Sequence, residues 1–483
     1  MLLLLLLISP IVAVSLSYLV KKQKTLLENI AISSVGIQLI AAISIIVSVI
    51  NEGAYTLNNA FSVSSFEALI LLVTTIVGTV AMLHSVGYLR GEQAKKMIDF
   101  KRIKECYILL NLFLFCMYVA ITTTNPIVMW IAIEATTLST VFLISFFNRK
   151  ADVEAAWKYL IINSIGLLLG LLGIILFLSQ GSLLTGWASW DSLTASANAM
   201  NPLISKFAFI FILIGFGTKM GLIPMHTWKP DAYNKAPLPV VALLSGALLN
   251  VAFFAILRFK IIIDSVVSYT FSQNLFIFFG ILSIALSALI IYTQHNYKRL
   301  LAYSSIEHAG IIMLGFGFGG IGVIGAILHM IYHAFAKSLL FLVSSNIALK
   351  YSSSKISDVT GMLTVMPRAT ILFIIGLLAV VGMPPFGTFF SEFYILLAGF
   401  KSNFIISLIA IISLAIVLTG FFIHSFSMIF GTPPTSVRAG ESKSWTLIPI
   451  VFLAIILIVF SIFIPTQLMQ LITTSAELFT KNL

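Results

Sequence analysis

The sequence predicts an all-α, polytopic membrane protein with about 14 transmembrane helices. Of its 483 residues, 59% are hydrophobic and 9% are charged, and the mean hydropathy is +1.08. Soluble domains carry roughly 25% charged residues, so the composition excludes a soluble globular class. Apolar runs of about twenty residues, long enough to cross a bilayer, are centred near positions 11, 40, 77, 115, 137, 168, 214, 250, 281, 310, 334, 380, 417 and 459.

The first apolar run, residues 1–20, is predicted to remain in the protein as its first span. No basic residue precedes it, and Lys21, Lys22 and Lys24 follow it directly. A cleaved signal peptide has the opposite order, with basic residues ahead of its apolar stretch. The N-terminus is therefore expected to lie outside the cytoplasm.

The lysine and arginine residues sort unevenly between the two sides of this topology. One set of alternate loops holds 21 of the 28, including Lys229 and Lys443, and the other set holds five, including Lys481. The remaining two, Lys219 and Lys337, lie inside spans. Because cytoplasmic loops collect Lys and Arg, both termini are predicted to face away from the cytoplasm.

This sorting accounts for the net charge of +11, since the excess basic residues follow the loops of one side and form no single patch. A nucleic-acid partner is therefore not expected. The two cysteines, Cys106 and Cys116, lie in one apolar run and form no Cys-x-x-Cys pair. Neither a disulfide framework nor an iron–sulfur site is expected, and no cofactor or metal is predicted in this chain.

Two of the predicted helices are interrupted. The seventh breaks after Lys219, at Gly221 and Pro224, and the twelfth breaks at residues 382–387, just before Glu392. A proline kink alone could explain either break. Two breaks, each beside an ionisable side chain, favour helix ends that face a polar cavity inside the membrane.

The positions of the breaks predict an internal repeat. Spans four to eight (106–262) and nine to thirteen (266–432) would each form a five-helix unit with its fourth helix broken. An odd number of spans separates the two units, so they would be inverted relative to each other, as in ion-coupled transporters. A three-helix segment (1–105) precedes them and a C-terminal helix (433–483) follows.

Several ionisable side chains fall at membrane depth. A charge at the bilayer centre costs about 2.5 to 3.5 kcal/mol on insertion scales, so such residues are functional candidates by default. The candidate ion-transfer residues identified in this way are Glu134, Lys219, His308, His329, His333, Lys337 and Glu392.

His329, His333 and Lys337 are spaced i, i+4 and i+8, so they share one helix face as a stripe of protonatable groups. A single buried histidine is more often a structural residue bonded to a carbonyl. The lysine on the same face and the apolar surroundings favour a stripe that passes protons.

Glu134 and Lys219 allow two interpretations. They could form a structural ion pair, although a buried pair seldom stabilises a protein more than well-packed apolar residues of the same size. They could also form a separable pair, in which the carboxylate favours the protonated amine and the amine releases its proton once the carboxylate moves away. The second interpretation gives both residues a role in transport.

The remaining carboxylates fall in loops or at the ends of spans. Glu67 and Asp264 belong to this group and are expected to be solvated. For Glu307, next to His308, and for His84, both a structural and a functional position remain open.

Several motifs, in this order, resemble a known family: KMGLIPMHTWKPDAYNKAPLP, NYKRLLAYSSIEHAGIIMLG, HMIYHAFAKSLLFLV and GMPPFGTFFSEFYIL. The chain resembles, from about residue 66 to residue 430, the antiporter-like subunits of respiratory complex I, of Mrp sodium/proton antiporters and of membrane-bound hydrogenases. The segments IAIEATTLSTVFLISFF and AAWKYLIINSIGLLLGLLGIILF are most similar to the hydrogenase-4 component F branch, found in formate-hydrogenlyase-type complexes.

The resemblance implies roles for most of the candidates. Glu134 corresponds to the family's fifth-helix glutamate and Lys219 to its partner lysine on the broken seventh helix. His308 and His333 correspond to central relay positions on the tenth and eleventh helices, and Lys337 to a lysine found in several branches.

Other positions mark the branch or depart from the family. Glu392 lies at the twelfth-helix position where some complex I subunits have a glutamate and others a lysine. Asn250 stands where most complex I homologues have a lysine on the eighth helix, so a link from Lys219 to His308 would use water or a neutral amide. Tyr233 replaces a common histidine, leaving His226 as the nearer titratable group.

The resemblance implies an ion-translocating subunit that moves H⁺, or H⁺ in exchange for Na⁺, in a hydrogenase-type or complex I-related redox complex. Iron–sulfur clusters and a nickel–iron centre would lie on partner subunits. The expected partners are other antiporter-like and anchor subunits and a peripheral cytoplasmic redox arm. The expected location is the inner membrane of a prokaryotic cell.

Two alternatives remain open from the sequence. The first is an Mrp-type or self-sufficient cation/proton antiporter without redox partners, which would transport ions after purification on its own. The second is a purely structural membrane anchor for a redox arm, which would tolerate loss of the Lys219 amine.

Overall fold

The computed structural model describes residues 1–180, 188–441 and 444–480, and this part of the chain is almost entirely helical. Lys443 and Lys481, which entered the charge count, lie outside the described residues. The α-helices are α1 (Leu2–Leu19), α2 (Lys24–Glu52), α3 (Ser65–Ala94), α4 (Phe100–Thr122), α5 (Pro126–Ile144), α6 (Lys150–Ser179), α7 (Trp190–Ala195), α8 (Pro202–Met220), α9 (Trp228–Lys235), α10 (Leu238–Leu243), α11 (Leu249–Val266), α12 (Tyr269–Tyr292), α13 (Tyr297–Phe318), α14 (Ile321–Tyr351), α15 (Met362–Val365), α16 (Pro367–Val380), α17 (Gly387–Ser402), α18 (Phe404–Phe430), α19 (Ser444–Ile462) and α20 (Thr466–Thr480). The shorter elements are the antiparallel pair β1 (Tyr55–Leu57) and β2 (Phe61–Val63), the 3-10 turns Ala197–Ala199 and Ile356–Asp358, and the π-helical segment Leu244–Leu248.

Thirteen helices in the described part of the chain are long and apolar enough to cross a membrane. One of them runs from α10 through the π-helical segment to the end of α11. The shorter helices α16 and α17 together form a further, broken span. Every predicted centre lies inside one of these helices, so the prediction of an all-α protein with about 14 spans is confirmed.

Asparagine side chains mark the start of several spans. The Asn125 side-chain oxygen accepts hydrogen bonds from the backbone N–H groups of Ile127 (2.8 Å) and Val128 (3.2 Å) at the start of α5. Asn201 and Asn296 cap α8 and α13 in the same way. The first amides of a helix have no partner within it, and these caps satisfy them. The caps thereby fix where each helix begins and which residues lie at membrane depth.

The centre of the molecule is formed by α10, α11, α13 and α14. The most apolar windows of Leu238–Val266 and Ile321–Tyr351 are completely buried by the protein. In contrast, α1, α2, α12 and α18 bury 33% to 44% of theirs, and the rest lies on the outer surface of this chain. Polar side chains on the central helices are therefore shielded from hydrocarbon and can be satisfied by protein groups.

The seventh and twelfth spans are broken as predicted. After α8 the chain passes through Gly221, with φ of +83°, and a cis peptide bond at Ile223–Pro224. After α16 it passes through Gly382, with φ of +65°, and a cis peptide bond at Pro384–Pro385. A positive φ is readily adopted only by glycine. In both breaks, therefore, a glycine with positive φ comes before a cis proline. The inverted-repeat layout of the two five-helix units stays a prediction.

Two carboxylates expected to be solvated are instead covered by protein. Glu67 is 1% exposed and forms an ion pair with Arg258 from α11. Asp264 pairs with Lys260 and accepts a hydrogen bond of 2.5 Å from the Ser272 hydroxyl. The expectation of solvation was wrong because other helices reach these span ends: Arg258 supplies the cation for Glu67, and Ser272 joins Lys260, one turn before Asp264 on the same helix, in binding Asp264. The position of Glu67 along the chain does not reveal its distant partner.

The C-terminal region holds two helices where one was predicted. α19 is the last membrane-length helix, and it packs against α3 and α14. α20 follows it and places the Phe479 ring against the rings of Phe66 and Phe316, with centroid distances of 5.4 and 5.1 Å. α20 was missed because at 15 residues it is too short to resemble a span.

α19 also contacts the second break. The Ser461 hydroxyl accepts a hydrogen bond of 2.9 Å from the backbone N–H of Gly387, the first residue of α17. The Phe460 carbonyl accepts a hydrogen bond of 2.8 Å from the Tyr332 hydroxyl on α14. The last span therefore bonds both to the helix that follows the break and to the central helix α14.

α6 and α8 are in direct backbone contact. A Cβ atom added to Gly215 on α8 would lie 2.5 Å from the nitrogen and 2.6 Å from the Cα of Gly170 on α6. Small residues allow this approach, which is common between membrane helices. Because α8 carries Lys219 and α6 carries Tyr159, the glycine contact sets the separation of those two side chains.

We expect Gly215→Ala to lower the free energy of unfolding by about 1 to 3 kcal/mol, because the new methyl group would force α6 and α8 apart. SDS-induced unfolding in mixed micelles would measure the change. Gly36→Ala on α2 is the matched control, since a Cβ there meets no atom within 4 Å. Equal stability of the two variants would contradict the proposed packing.

Candidate functional site

Lys219 lies in the last turn of α8, immediately before the break, and is 2% exposed. Its Nζ donates hydrogen bonds of 2.8 Å to the Thr137 hydroxyl on α5 and 2.8 Å to the Tyr159 hydroxyl on α6. The Nζ also lies 5.0 Å from the centroid of the Tyr159 ring, a distance that suits a cation–π contact. Neutral oxygens and an aromatic ring therefore hold this buried amine.

Glu134 is joined to Lys219 through a hydroxyl. Its carboxylate accepts hydrogen bonds from Thr137 (3.3 Å) and from Ser164 on α6 (2.9 Å). Among the described residues no carboxylate pairs directly with Lys219, so the direct ion pair considered from the sequence is not formed. Thr137 follows Glu134 by nearly one helical turn, which places its hydroxyl between the carboxylate and the amine. We call Glu134, Thr137, Tyr159, Ser164 and Lys219 the first cluster.

Three histidines from two central helices meet in a second place. His308 Nδ1 lies 2.8 Å from His329 Nε2, and His329 Nδ1 lies 2.9 Å from the Ser391 hydroxyl on α17. The His333 ring centroid lies 4.7 Å from that of His308. The stripe predicted on α14 is therefore joined to α13 and, across the second break, to α17.

Glu307 belongs to the same group. It is 1% exposed, and its Oε2 lies 3.6 Å from His308 Nε2. Neither ring nitrogen of His333 has a hydrogen-bond partner among the described residues. Unpartnered polar atoms buried in a protein are costly, and they mark places where a proton or water can bind. We call Glu307, His308, His329, His333 and Ser391 the second cluster.

Lys337 and Asn250 lie beside the second cluster. The Lys337 Nζ donates to the Leu301 carbonyl (3.2 Å) and interacts electrostatically with Glu307. The Asn250 amide donates to the Met330 carbonyl at 3.0 Å, next to His329 in the chain. The π-helical segment that precedes Asn250 widens its helix locally, a feature that is frequent at functional sites.

Glu392 lies on α17 directly after Ser391, so the second break delivers it to the edge of the second cluster. Its carboxylate sits over Gly382, where a Cβ would clash with Oε2. The positive φ and missing side chain of Gly382 therefore serve both the turn and the carboxylate.

Lys229 was counted with the loop lysines, and that assignment is wrong. It lies on α9, after the first break, and is 1% exposed. Its Nζ donates a hydrogen bond of 2.8 Å to the Met220 carbonyl at the end of α8. The sequence offered one signal, a lysine ten residues after Lys219 in a short polar stretch between two spans, which a loop explains equally well.

Other groups that sequence reasoning missed or left open now have positions. Thr137, Tyr159, Ser164 and Ser391 were missed because hydroxyl side chains are common in apolar runs. His84 has both ring nitrogens engaged, with the Thr446 carbonyl (2.9 Å) and the Ser345 hydroxyl (2.5 Å). Because it links α3, α14 and α19, its geometry is that of a structural histidine.

The three histidines of the second cluster are also close enough together to act as metal ligands. Their ligand atoms lie within 4.8 Å of one another. However, His308 Nδ1 and His329 Nε2 face each other at hydrogen-bond distance, so one proton lies between two of the three possible ligand atoms. This arrangement favours proton exchange along the imidazoles.

Comparison with known proteins identifies the family to which this chain belongs. A family model described as NADH:quinone oxidoreductase/Mrp antiporter, transmembrane, matches residues 123–419. A Hydrogenase-4 component F homolog from Methylacidiphilum infernorum (isolate V4) is 34% identical over 378 residues, covering 77% of this chain and 79% of the relative. NADH-quinone oxidoreductase subunit N from Ruthia magnifica subsp. Calyptogena magnifica is 31% identical over 366 residues, 74% of this chain and 72% of the relative. These matches confirm the resemblance identified from the motifs.

Solved structures share the fold. A chain of the membrane-bound sulfane sulfur reductase (MBS), an archaeal respiratory membrane complex, has a TM-score of 0.87 at 24% identity and covers 99% of this chain and 96% of its own length. A chain of the Mrp complex from Dietzia sp. DQ12-45-1b has a TM-score of 0.86 at 18% identity, with 99% and 97% covered. These likenesses confirm the membrane-helical architecture.

We expect Thr137→Val to lower the free energy of unfolding by about 1 to 3 kcal/mol, because it removes a hydrogen-bond partner from both a buried amine and a carboxylate. SDS-induced unfolding would measure the loss, and a double-mutant cycle with Lys219→Met would isolate the coupling. Thr136→Val is the control, since that hydroxyl bonds only to the Ile133 carbonyl of its own helix. If the two changes in the free energy of unfolding were strictly additive, the Thr137 hydroxyl would not couple Lys219 to Glu134.

Proposed function

Because this chain belongs to the NADH:quinone oxidoreductase/Mrp antiporter family of transmembrane subunits, we propose that it carries protons across the bilayer through its own side chains. The chain is an antiporter-like membrane subunit, of the type that occurs in complex I-related, hydrogenase and Mrp assemblies. One observation carries the proposal: Lys219 and the three histidines are buried inside the helix bundle, and the Thr137 hydroxyl, rather than a direct ion pair, connects Lys219 to Glu134.

The energy scale supports a transport role. Moving one elementary charge against 100 mV requires about 2.3 kcal/mol. A buried amine whose carboxylate partner moves changes its preference between the charged and neutral forms by an amount of this order. A purely structural set of side chains would have no use for so many groups that exchange protons.

The first step is proposed to occur in the first cluster. Glu134 acts on Lys219 through Thr137, and a charge arriving near Glu134 weakens the hold of the carboxylate on the ammonium. The ammonium then loses a proton, breaking one N–H bond, and the next acceptor on the path to the second cluster gains it, forming a new bond to hydrogen. The Tyr159 hydroxyl keeps the neutral amine in place by donating to its lone pair.

The later steps are proposed to follow the second cluster. His333 and His308 receive the proton, and the hydrogen bond from His308 to His329 passes it on to the Ser391 side of the second break. Glu392, the next residue, accepts it there and releases it to the far side. Lys337 contributes a positive charge that repels a second proton until the first has left.

The proposal extends to the partner subunits, the redox centres, the membrane location and the transported ion. The relatives named above are subunits of hydrogenase-4 and of NADH-quinone oxidoreductase, which supports a place among sister membrane subunits. We assign the redox centres, iron–sulfur clusters and a nickel–iron site, to a peripheral arm of the complex. The location is the inner membrane of a prokaryotic cell with both termini outside the cytoplasm, and the ion is H⁺, with Na⁺ as a possible exchange partner.

We expect Lys219→Ala to reduce proton translocation at least tenfold while the complex still assembles, because the amine is the group that releases the proton. The native complex would be reconstituted in liposomes, and proton uptake driven by a potassium diffusion potential would be followed with a pH-sensitive dye. Lys206→Ala on the same helix is the control, since that partly exposed lysine lies over the Phe271 ring, near the start of α8. Normal translocation by assembled Lys219→Ala complex would refute the mechanism and favour a structural anchor.

We expect Glu392→Gln to lower translocation at least tenfold as well, because an amide cannot bind and release the proton that arrives past Ser391. The same liposome measurement applies. Glu477→Gln, on an exposed position of α20, is the matched control and should leave the rate unchanged. If both glutamine variants translocate equally well, the exit is not at Glu392.

The antiporter alternative without redox partners has its own measurement. The chain purified alone and reconstituted would exchange Na⁺ for H⁺ under an imposed sodium gradient if it were self-sufficient. We expect no exchange above that of empty liposomes, because the clusters form a path for protons within one chain and the energy source lies in sister subunits. Exchange by the isolated chain that Lys219→Ala abolishes would establish the alternative.

A further inference from the structure

We propose that Lys229 is an additional proton-binding site, which takes the proton from the first cluster and delivers it to the second. The inference rests on the proposed function, since it supplies a step between the two clusters. The hydrogen bonds of the first cluster end at Tyr159 and Thr140, and those of the second begin at His308. Among the described residues no hydrogen bond joins the two clusters.

The side chain of Lys229, on α9, reaches back to the end of α8, the helix that carries Lys219. Its Nζ reaches the carbonyl of Met220, the residue after Lys219, and so lies within a few ångströms of the first cluster's backbone. The Trp228 ring packs at 5.0 Å against the ring of Tyr159, which itself binds Lys219. The lysine thus approaches the first cluster from the side of the break.

The same amine lies within electrostatic range of the second cluster. A charge on Lys229 repels a positive charge on the His333 ring and on the Lys337 amine, and this repulsion disappears when Lys229 gives up its proton. His333 has two ring nitrogens without a hydrogen-bond partner among the described residues, and one nitrogen of a neutral imidazole is a proton acceptor. His226, three residues before Lys229, is the other titratable group that this charge affects.

The first break is shaped to admit this side chain. A Cβ atom at Gly221 would lie 2.6 Å from the Cδ of Lys229. Gly221 therefore provides the turn and also leaves room for the aliphatic part of the lysine, while the Nζ lies 5.6 Å from the Tyr233 ring centroid. In the described part of the chain, the amine makes a hydrogen bond to a carbonyl and lies near an aromatic ring, and neither partner carries a negative charge.

In the proposed step, one N–H bond of the Lys229 ammonium breaks and one N–H bond forms on a His333 nitrogen, directly or through water. The neutral amine then takes the next proton from the Lys219 ammonium, which restores its charge. Asn250, next to the second cluster, cannot perform this step because an amide does not bind protons at neutral pH. Lys229 supplies a protonatable amine where Asn250 supplies only an amide.

A structural explanation is that Lys229 only caps α8. Cations are favoured at helix C-termini, where the last carbonyls have no partner within the helix. Arginine and glutamine separate the two roles. Both can donate to the Met220 carbonyl, but arginine never releases its proton and glutamine has none to release.

The experiment compares Lys229→Arg and Lys229→Gln with Lys260→Arg in the reconstituted complex. Lys260 is a buried lysine with a direct carboxylate partner, Asp264, so the control changes a buried amine of structural type. We expect both Lys229 variants to assemble and to translocate protons at least tenfold more slowly, and Lys260→Arg to translocate at close to the normal rate. Adding Asn250→Lys to Lys229→Gln should restore at least part of the rate of translocation, because it places a protonatable amine beside the second cluster.

The outcomes separate this inference from the proposed function. Normal translocation by either Lys229 variant, with Lys219→Ala inactive, would overturn the inference and leave the proposed function intact. Normal translocation by Lys219→Ala as well would overturn both. Failure of both Lys229 variants to assemble would assign the residue to the helix cap and would also overturn the inference.

Discussion

The structure depends on one constraint: ionisable side chains inside an apolar bilayer must be satisfied by other protein groups. Lys219 meets it with the Thr137 and Tyr159 hydroxyls and a ring, and Glu134 meets it with the same Thr137 hydroxyl and that of Ser164. Neutral partners of this kind stabilise a charge without fixing it. A direct, enclosed ion pair, such as Glu67 with Arg258, would hold both charges in place and is found near a span end instead.

The fold turns this constraint into an arrangement of layers. The outer helices are apolar and less than half buried, and the helices α13 and α14 that carry the histidines of the second cluster are almost completely buried by the protein. The two broken spans bring side chains into this interior that continuous helices would have carried past it. Lys229 and Glu392 both follow a break directly, and a glycine with positive φ makes room for each of them.

The fold was predictable because hydropathy reports membrane spans directly, and glycine and proline mark the breaks. The candidate residues were predictable because charge in an apolar run is costly and therefore rare. Contacts between helices were not predictable in the same way. Thr137 could not be distinguished from Thr136, the cover over Glu67 depends on Arg258 from a distant helix, and Lys229 resembled a loop residue until the end of α8 was seen beside it.

The contact between α19 and the second break has a consequence for biosynthesis. Membrane proteins are made and inserted from the N-terminus, so α17 and α14 enter the bilayer before the segment that braces them exists. The Gly387 amide and the Tyr332 hydroxyl must wait for Ser461 and Phe460 to be translated. Maturation of this half of the protein therefore finishes only with its final span, and a ribosome that stalls earlier would leave a nascent chain with two polar groups still unmatched.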